Sequence, residues 1–321
     1  MEDAILNFNK QFSYSPEIIN REKIGSPKHF IVCGMGGSHL ATGILKMYKP
    51  GIELYVHRDY GLPPYSNEFL KESLLIASSY SGNTEEVVDF LEEGYSRGLN
   101  MAVIATGGKL IEFAKKNYIP YIQMPDDGIQ PRSALGYSLI AMSAMTGEYP
   151  CCDSLKSLEQ NLNPESHRKS GEELAKNLSG KVPIIYSSVQ NLPLAYNWKI
   201  KMNETGKVPA FYNLFSELNH NEMNGFDVGD KTRDLSSNFH FIFLRDEKDN
   251  SRIQKRMDIT EDLYEEKGLN VTSLRLTEDD TFVKIFNSLL LADWTALYIA
   301  KNNGMEPEAV KIIEDFKAKL A

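Results

Sequence analysis

Cysteine and surplus basic charge are both scarce in this sequence. Only 3 of the 321 residues are cysteine, too few and too odd a number for a disulfide framework. Asp and Glu together number 44 against 35 Lys and Arg, which gives a net charge of −9. An acidic chain is a poor candidate for general binding to nucleic acids or anionic membranes. The sequence therefore favours a reducing cytoplasm and excludes the small, disulfide-rich secreted class.

Long uninterrupted apolar segments are also missing. The acidic start, Met1-Glu2-Asp3, has no apolar run behind it, so we expect no signal peptide. The longest apolar stretch, 282–300, contains Lys284 and Asp293. Charged residues are costly in a membrane span but ordinary in an amphipathic core helix. We therefore expect a core helix and no membrane association.

Metal-binding patterns do not occur either. The six histidines form no His-x-His pair and have no spacing to cysteine that would make a zinc site. Cys151 and Cys152 are adjacent and have no evident ligand partner, while Cys33 ends an apolar run. We expect neither a metal nor an organic cofactor.

What the sequence does contain is an alternation of apolar runs and helix-like segments. Hydrophobic residues make up 42% of the chain, enough for a sizeable core. The runs that predict buried strands are 29–33, 52–56, 74–77 and 101–105 in the first half, and 182–186, 239–244 and 271–276 in the second. Continuous apolar strands separated by helices indicate parallel sheets covered on both faces. The predicted class is α/β, with two domains of similar architecture.

The domain boundaries are predicted from a change in composition. Residues 149–180 include Pro150, Pro164, two cysteines and many polar residues, which is typical of a connection. The prediction is a domain at 1–148, a connecting segment at 149–180 and a second domain at 181–321.

A glycine-rich loop follows the first predicted strand. Gly34-Met35-Gly36-Gly37-Ser38 precedes a predicted helix, and glycines there allow backbone amides to approach an anion at the helix N-terminus. The loop is similar to a dinucleotide-binding pattern, except that His39 occupies the third glycine position. Asp59 lies about where a ribose-binding acid would be. A plain strand-to-helix turn and a nucleotide site both remain open at this loop.

A second polar loop follows the third predicted strand. Asn83 is the predicted N-cap of the next helix, with Glu86 completing a capping box. Ser79, Ser81 and Thr84 add three hydroxyls beside unpaired helix amides, a setting that suits a phosphate monoester. Because both loops follow neighbouring parallel strands, we expect them at the same sheet edge, where α/β proteins bind ligands.

Together the two loops resemble the sugar isomerase (SIS) domain, a module that binds phosphosugars. The resemblance rests on Gly36-Gly37-Ser38 and Ser79-Tyr80-Ser81-Gly82-Asn83-Thr84. It implies substrate binding by Gly36, Gly37, Ser38, Ser79, Ser81 and Thr84.

The most informative helix of the second half ends near a glutamate. Leu194, Trp198 and Met202 recur at intervals of four and should face the core. Gly206 marks the position just past the helix end, so Glu204 lies in the last turn. A carboxylate at the negative end of a helix takes up a proton more readily, which suits a general base. A solvated glutamate at a helix end is the alternative.

A histidine follows sixteen residues later in a crowded polar loop. His220 lies within Ser-Glu-Leu-Asn-His-Asn-Glu at 216–222. Histidine exchanges protons in both directions near neutral pH. His220 is therefore a candidate acid–base group, and a lone surface histidine is the alternative.

Five separated motifs closely resemble the bifunctional phosphoglucose/phosphomannose isomerase family, over nearly the whole chain. They are Pro131-Arg-Ser-Ala-Leu-Gly-Tyr137, Asn203-Glu204, Val208-Pro-Ala-Phe211, Glu217-Leu-Asn-His-Asn-Glu222 and Asp293-Trp-Thr295. The resemblance implies two SIS-type αβα domains and a metal-independent aldose–ketose isomerase. That enzyme interconverts fructose 6-phosphate with glucose 6-phosphate and mannose 6-phosphate, a reaction of glycolysis and gluconeogenesis.

The resemblance also implies a role for each matched residue. Glu204 would move the proton between C1 and C2 through an enediol, and Arg132 would stabilise the enediolate charge. His220 would open the sugar ring from the neighbouring subunit, which implies a homodimer. Thr295 is associated with acceptance of both C2 epimers. Lys301 is the candidate for a lysine that the family carries in the C-terminal helix, although the family's spacing falls one residue later.

Two other functions stay open at this stage. Many SIS modules bind a phosphosugar without catalysis and regulate another domain, although this chain has no spare length for one. A nucleotide-dependent dehydrogenase is suggested by Gly34-Met35-Gly36 and Asp59 alone.

Overall fold

The computed structural model describes residues 1–320 and divides them into two compact units. The N-terminal unit is Asn7–Leu162, and the C-terminal unit comprises Met1–Leu6 and the chain from Asn163 onward. The segment predicted to connect the domains, 149–180, is largely helical. Its first part belongs to the N-terminal unit and its later part to the C-terminal unit.

Among residues 1–320, nine strands form two sheets. They are β1 (His29–Cys33), β2 (Leu54–His57), β3 (Ser73–Ser78), β4 (Met101–Ala105), β5 (Tyr121–Gln123), β6 (Val182–Ser188), β7 (Phe211–Phe215), β8 (Phe239–Asp246) and β9 (Asn270–Leu276).

The α-helices surround these strands. They are α1 (Glu2–Leu6), α2 (Leu40–Tyr48), α3 (Asn67–Lys71), α4 (Glu85–Ser96), α5 (Gly108–Asn117), α6 (Leu135–Met145), α7 (Tyr149–Lys156), α8 (Leu158–Asn161), α9 (Arg168–Asn177), α10 (Leu192–Glu204), α11 (Glu222–Gly225), α12 (Arg233–Ser236), α13 (Ser251–Glu266), α14 (Thr281–Asn302) and α15 (Lys311–Leu320). Short 3₁₀ helices occur at Phe8–Ser13, Arg21–Lys23, Gly36–His39, Pro131–Ser133, Pro164–His167 and Glu217–His220.

The N-terminal unit is built on a five-stranded parallel sheet in the order β2-β1-β3-β4-β5. All six residues of β3 are buried, which matches its unbroken apolar run. One face of the sheet packs against α4 and α5 through side chains such as Phe90 and Leu110, both fully buried. The expected parallel sheet covered by helices is confirmed for this unit.

The C-terminal unit repeats the plan with four parallel strands in the order β7-β6-β8-β9. Aromatic side chains dominate one of its core clusters, where Tyr186, Phe241 and Phe243 pack with ring centroids about 5.5 Å apart. The two sheets correspond strand for strand, β1 with β6, β2 with β7, β3 with β8 and β4 with β9.

Two strands lack the pattern that the sequence analysis used. β5 has only three residues, and β7 contains Asn213 and begins at Phe211, which is 54% exposed. Both strands lie at a sheet edge, where burial on both faces is not required. Short or half-exposed edge strands leave no continuous apolar run to find.

One described helix, α14, is long and apolar enough to cross a membrane by length and composition alone. Of its most apolar 18-residue window, 78% is buried inside the protein. Two of its charged residues have buried partners, since Lys284 pairs with Asp246 and Asp293 pairs with Lys201. The helix therefore packs as the core helix that the sequence predicted.

Each sheet has one position where the chain connections leave in opposite directions. From β1 the chain continues to β2, toward one edge of the sheet, and from β3 it continues to β4, toward the other edge. In the second sheet the chain likewise continues from β6 to β7 and from β8 to β9 in opposite directions. The carboxyl ends of such strand pairs form the crevice in which α/β proteins bind ligands. We call these positions the N-terminal switch point (β1 and β3) and the C-terminal switch point (β6 and β8).

Candidate active site

The glycine loop and the second polar loop meet at the N-terminal switch point. The Ser38 hydroxyl accepts a hydrogen bond from the backbone amide of Tyr80 at 3.0 Å, and the Ser38 carbonyl accepts one from the Ser78 hydroxyl at 3.2 Å. Gly34 lies so close to β3 that a Cβ there would be 2.9 Å from the Ser78 carbonyl oxygen. The expected convergence of the two loops at one sheet edge is confirmed.

The second loop orders its hydroxyls by hydrogen bonds among themselves. Ser79 Oγ and Thr84 Oγ1 are 2.8 Å apart, and the amide of Gly82 donates to Ser79 Oγ at 3.2 Å. Ser81 Oγ accepts from the amide of Asn83 and is exposed. Ser79 is 1% exposed. The loop thus presents hydroxyls on a fixed backbone, which can hold a phosphate with little reorganisation.

The predicted capping box on this loop is wrong. The N-cap of α4 is Thr84, one residue later than expected, and it makes no side-chain cap bond because its hydroxyl pairs with Ser79. Asn83 instead accepts from the Lys109 amide at the start of α5, at 3.0 Å. The first turn of α4 therefore has no side-chain cap, and the carboxylates of Glu85 and Glu86 in that turn partly offset its positive end.

Glycine is required where the second loop contacts the loop after β4. Gly82 has φ +70°, and a Cβ on it would lie 1.9 Å from the Gly107 carbonyl oxygen. Gly108 has φ +67°, and its ideal Cβ would lie 2.6 Å from the Ser81 carbonyl oxygen. These close contacts fix the loop that holds the hydroxyls, and the sequence motif alone did not reveal them.

Arg132 approaches the glycine loop because Gly37 has no side chain. A Cβ on Gly37 would lie 3.0 Å from the backbone nitrogen of Arg132. Arg132 itself is 2% exposed, and its guanidinium lies 3.5 Å from the amide oxygen of Gln130. The structure thus brings Arg132 beside the glycine loop within the N-terminal unit.

Gln11 is a residue that the sequence analysis missed. Its buried side chain donates to the Ser133 carbonyl at 2.7 Å and accepts from the amides of Gly136 and Tyr137 at 3.0 and 3.3 Å. These bonds hold the turn that carries Arg132 at the start of α6. More than 120 residues separate Gln11 from its partners, so no local pattern could have indicated the contact.

The features of a nucleotide site are not assembled at this loop. The Asp59 carboxylate accepts from the amide of the next residue, Tyr60, at 2.8 Å, which is a local turn contact. His39, at the third glycine position, is buried. Burial, together with the nearby Arg58, lowers the pKa of His39 to about 4, so the imidazole is neutral at physiological pH.

In the C-terminal unit, Glu204 is the last residue of α10. Leu194, Trp198 and Met202 are all fully buried, which confirms the predicted core stripe. The Trp198 indole donates to the Ser288 hydroxyl of α14 at 3.0 Å. Glu204 follows this anchored stripe and is partly exposed at the helix end.

A buried ion pair joins the same two helices one turn before Glu204. Lys201 Nζ lies 2.6 Å from Asp293 Oδ1, and both side chains are more than 90% buried. Thr295, two residues after Asp293, is fully buried, and its hydroxyl donates to the Leu291 carbonyl at 2.7 Å. Within this unit, the Glu204 helix and the Thr295 helix are therefore held in a fixed register.

The loop around His220 uses its other polar residues for structure. Asn219 donates to Thr260 at 2.9 Å and accepts from Arg256 at 3.3 Å, while Glu222 accepts from Tyr186 and Asn213. His220 itself is exposed. The loop is thus anchored to the core on both sides of the histidine, which it presents to solvent.

Lys301 is engaged at the surface of the C-terminal unit. Its ammonium lies 2.6 Å from Glu2 Oε2 and 5.5 Å from the centre of the Tyr298 ring. The hydrogen bond from Lys301, followed by the nearby Arg168, lowers the pKa of Glu2. These contacts tie α14 to α1.

Within residues 1–320 no three His, Cys, Asp or Glu side chains are grouped so as to hold a metal ion. All three cysteines are free and buried. Burial raises the pKa of Cys33 to about 12 and that of Cys151 to about 11, so both remain unreactive thiols.

The fold and the paired loops first define a class, the SIS-type α/β proteins. Residues 167–320 match the family described as bacterial phospho-glucose isomerase C-terminal SIS domain. The crystal structure of glucosamine-6-phosphate deaminase from Thermotoga maritima has a TM-score of 0.66 at 13% identity, covering 95% of this chain and 94% of that one. At that identity the likeness shows a shared fold.

Sequence relatives then define the family within this class. A bifunctional phosphoglucose/phosphomannose isomerase from Aquifex aeolicus is 33% identical over 299 residues, covering 91% of this chain and 90% of the relative. Another from Caldicellulosiruptor bescii is 35% identical over 308 residues, covering 91% and 89%. The chain belongs to the bifunctional phosphoglucose/phosphomannose isomerase family, as its motifs predicted.

Proposed function

We propose that this protein interconverts fructose 6-phosphate with glucose 6-phosphate and mannose 6-phosphate through an enediol. The observation that carries the proposal is its 33% and 35% identity to two bifunctional phosphoglucose/phosphomannose isomerases across nine-tenths of the chain. The contacts within each unit separately support the role that we propose for each candidate residue.

The N-terminal switch point is the proposed phosphate site. The hydroxyls of Ser38, Ser79, Ser81 and Thr84 lie on one pair of interlocked loops, with Gly36 and Gly37 allowing close backbone approach. The amides that open α4 add a partial positive charge. Neutral hydroxyl and amide donors fit a phosphate monoester and leave the rest of the sugar accessible.

Glu204 is the proposed base that carries the proton between C1 and C2. A carboxylate can move this proton without a metal, because the same oxygen removes it from one carbon and returns it to the other. Arg132 is proposed to stabilise the negative charge of the enediolate, which develops only during the reaction. Its deep burial supports this part, since a buried guanidinium interacts strongly with developing charge.

His220 is proposed to open the sugar ring by exchanging a proton with the ring oxygen. The exposed imidazole on an anchored loop supports its use on another molecule's substrate, so we propose a homodimer in which His220 acts across the interface. A wholly buried histidine could not reach a partner subunit.

Thr295 and Lys301 are proposed to influence the sugar. The family resemblance associates Thr295 with acceptance of both C2 epimers, so we propose acceptance of both glucose and mannose 6-phosphates. Lys301 remains a candidate catalytic lysine, but its ion pair with Glu2 equally supports a structural part. Lys301→Met separates the two, since a catalytic lysine lowers turnover and a structural one lowers only stability.

We further propose that the reaction needs no metal or organic cofactor and takes place in the cytoplasm. The chemistry of proton transfer by a carboxylate supports the first statement, and the scarcity of cysteine supports the second.

The test is proton NMR of fructose 6-phosphate in D₂O with catalytic amounts of protein and EDTA. We expect glucose 6-phosphate and mannose 6-phosphate to form, with deuterium at C2 in those turnovers in which the protonated base exchanges with D₂O before it returns the proton. Glucose 6-phosphate alone would keep the mechanism and overturn the proposal for Thr295. Saturable binding with neither conversion nor proton exchange at C1 of fructose 6-phosphate would make the protein a phosphosugar sensor instead.

A further inference from the structure

The turn after the Glu204 helix places a lysine in a backbone conformation that favours glycine. Lys207 has φ +59°, in the left-handed region. The neighbouring glycine, Gly206, serves a different purpose, because a Cβ there would lie 2.8 Å from the Met202 carbonyl oxygen. The helix end therefore uses its glycine for a close approach and keeps a lysine at the left-handed position.

The Lys207 side chain turns back onto the end of α10. Its ammonium donates to the backbone carbonyl of Glu204 at 2.5 Å and to that of Ala309. The last carbonyls of a helix have no partner within the helix, and a cation there is favourable to the helix dipole. Lys207 thus joins the residue that carries the candidate base to the segment between α14 and α15.

The rest of the turn is braced by a second side chain. Asn203 donates to the carbonyls of Val208 and Ala210 at 3.0 and 3.5 Å. Asn203 therefore fixes the chain beyond Lys207, while Lys207 fixes Glu204 against Ala309.

We propose that Lys207 is a positioning residue for Glu204, an inference that rests on the proposed use of Glu204 as the base. Glycine at position 207 would adopt the observed backbone without strain, so the turn alone does not require a lysine. The ammonium contacts supply the reason for the lysine. A base displaced by a fraction of an ångström transfers protons slowly even when the substrate binds normally.

Three variants separate positioning from turn formation. Lys207→Gly removes the ammonium and also removes the backbone strain of a non-glycine residue at this φ. Lys207→Asn removes the ammonium but keeps a side chain that tolerates the left-handed region, and Lys207→Arg restores a cation. Tyr118→Gly is the matched control, because Tyr118 has φ +55° at the end of α5 in the N-terminal unit. Steady-state kinetics with fructose 6-phosphate and thermal unfolding are measured for each.

We expect Lys207→Gly and Lys207→Asn to lower kcat about 10- to 100-fold with KM within twofold, while the melting temperature of Lys207→Gly stays level or rises. Lys207→Arg should recover most of kcat, and Tyr118→Gly should keep it. A fully active Lys207→Gly overturns the inference alone. An inactive parent protein overturns the proposed function and this inference with it, so the two failures are distinguishable.

Discussion

The two switch points occupy the same place in two sheets of the same order, yet they contain different chemistry. At the N-terminal switch point, glycines and hydroxyls line the ends of β1 and β3, and hydrogen bonds between serine hydroxyls and backbone groups join the two loops. At the C-terminal switch point, side chains from several elements fill the ends of β6 and β8. The N-terminal switch point suits an anion, whereas side chains of the protein fill the C-terminal switch point.

The residues that close the C-terminal switch point form a buried polar cluster. Lys284 Nζ lies 2.5 Å from Asp246 Oδ2, and Asn191 donates to both Asp246 and Asp249 at 3.2 and 3.3 Å. Ser188 Oγ accepts from the Asn191 side chain at 3.1 Å. Burial raises the pKa of Asp249. The Lys284 ammonium thus pairs with the Asp246 carboxylate at this sheet edge, where a ligand could otherwise bind.

The difference between the two switch points shows that topology provides a position for a site but does not determine its use. In the C-terminal unit the candidate reactive groups lie elsewhere, with Glu204 at the end of α10 and His220 on the loop after β7. Function therefore has to be argued from the residues at each position, because the shared architecture is compatible with either outcome.

The largest expected effect tests whether the C-terminal unit supplies the base. Glu204→Gln keeps the size of the side chain and removes its basicity, so we expect kcat to fall about 100- to 10,000-fold with little change in substrate affinity. Glu172→Gln, an exposed change in the same unit, is the control. Normal turnover by a Glu204→Gln protein that binds fructose 6-phosphate would remove Glu204 from the mechanism.

The second test breaks the closed switch point. Lys284→Met leaves Asp246 as an uncompensated buried carboxylate beside Asp249, and we expect the free energy of unfolding to fall by about 3–5 kcal/mol. Lys176→Met removes a lysine that is 63% exposed and paired with Glu172, so it should change stability by less than about 1 kcal/mol. Urea denaturation of both variants gives the two values. Equal effects would mean that the buried cluster is not what stabilises this edge.

The third test uses pH to address the N-terminal switch point. Burial lowers the pKa of His39 to about 4, below its ordinary value near 6.5. Between those pH values the unfolded chain binds a proton that the folded protein does not, so stability is full above about pH 6.5 and falls as the pH drops. The shift corresponds to a loss of up to about 3 kcal/mol by pH 4.

Unfolding free energies across this pH range, compared between the parent and His39→Gln, measure that contribution. The variant should show a flatter decline, whatever its stability at neutral pH. If the two curves run parallel, His39 is not a buried neutral group in the folded protein, and its place after the glycine loop needs revision.

Much of the fold could be predicted from the sequence because its central strands are continuous apolar runs. β3 and β8 are buried along nearly their whole length, whereas β5 and β7 are short or half-exposed edge strands without that signal. The pattern of hydrophobic residues along the chain thus predicts the central strands of each sheet better than its edge strands.

The residues of the candidate site also differ in whether the sequence alone could indicate them. Ser79 and Glu204 could be found because each lies in a motif at a strand or helix end. Gln11 and Lys207 could not, since their importance depends on contacts with backbone 100 or more residues away. The approach of Gly37 to Arg132 is of the same kind. Side chains that act on distant backbone leave no local pattern.

The smallest expected effect compares one hydroxyl from each of the two switch points. Ser79→Ala removes one proposed donor to the phosphate, and a hydrogen bond to a charged group of about 1.5 kcal/mol corresponds to a rise in KM of about 10-fold with kcat nearly unchanged. Ser188→Ala removes a hydroxyl that accepts from Asn191, so it should lower stability by about 1 kcal/mol and leave KM as it is. A rise in KM for both variants would mean that the C-terminal switch point also takes part in binding, because a hydroxyl used only inside the buried cluster cannot change affinity for the sugar phosphate.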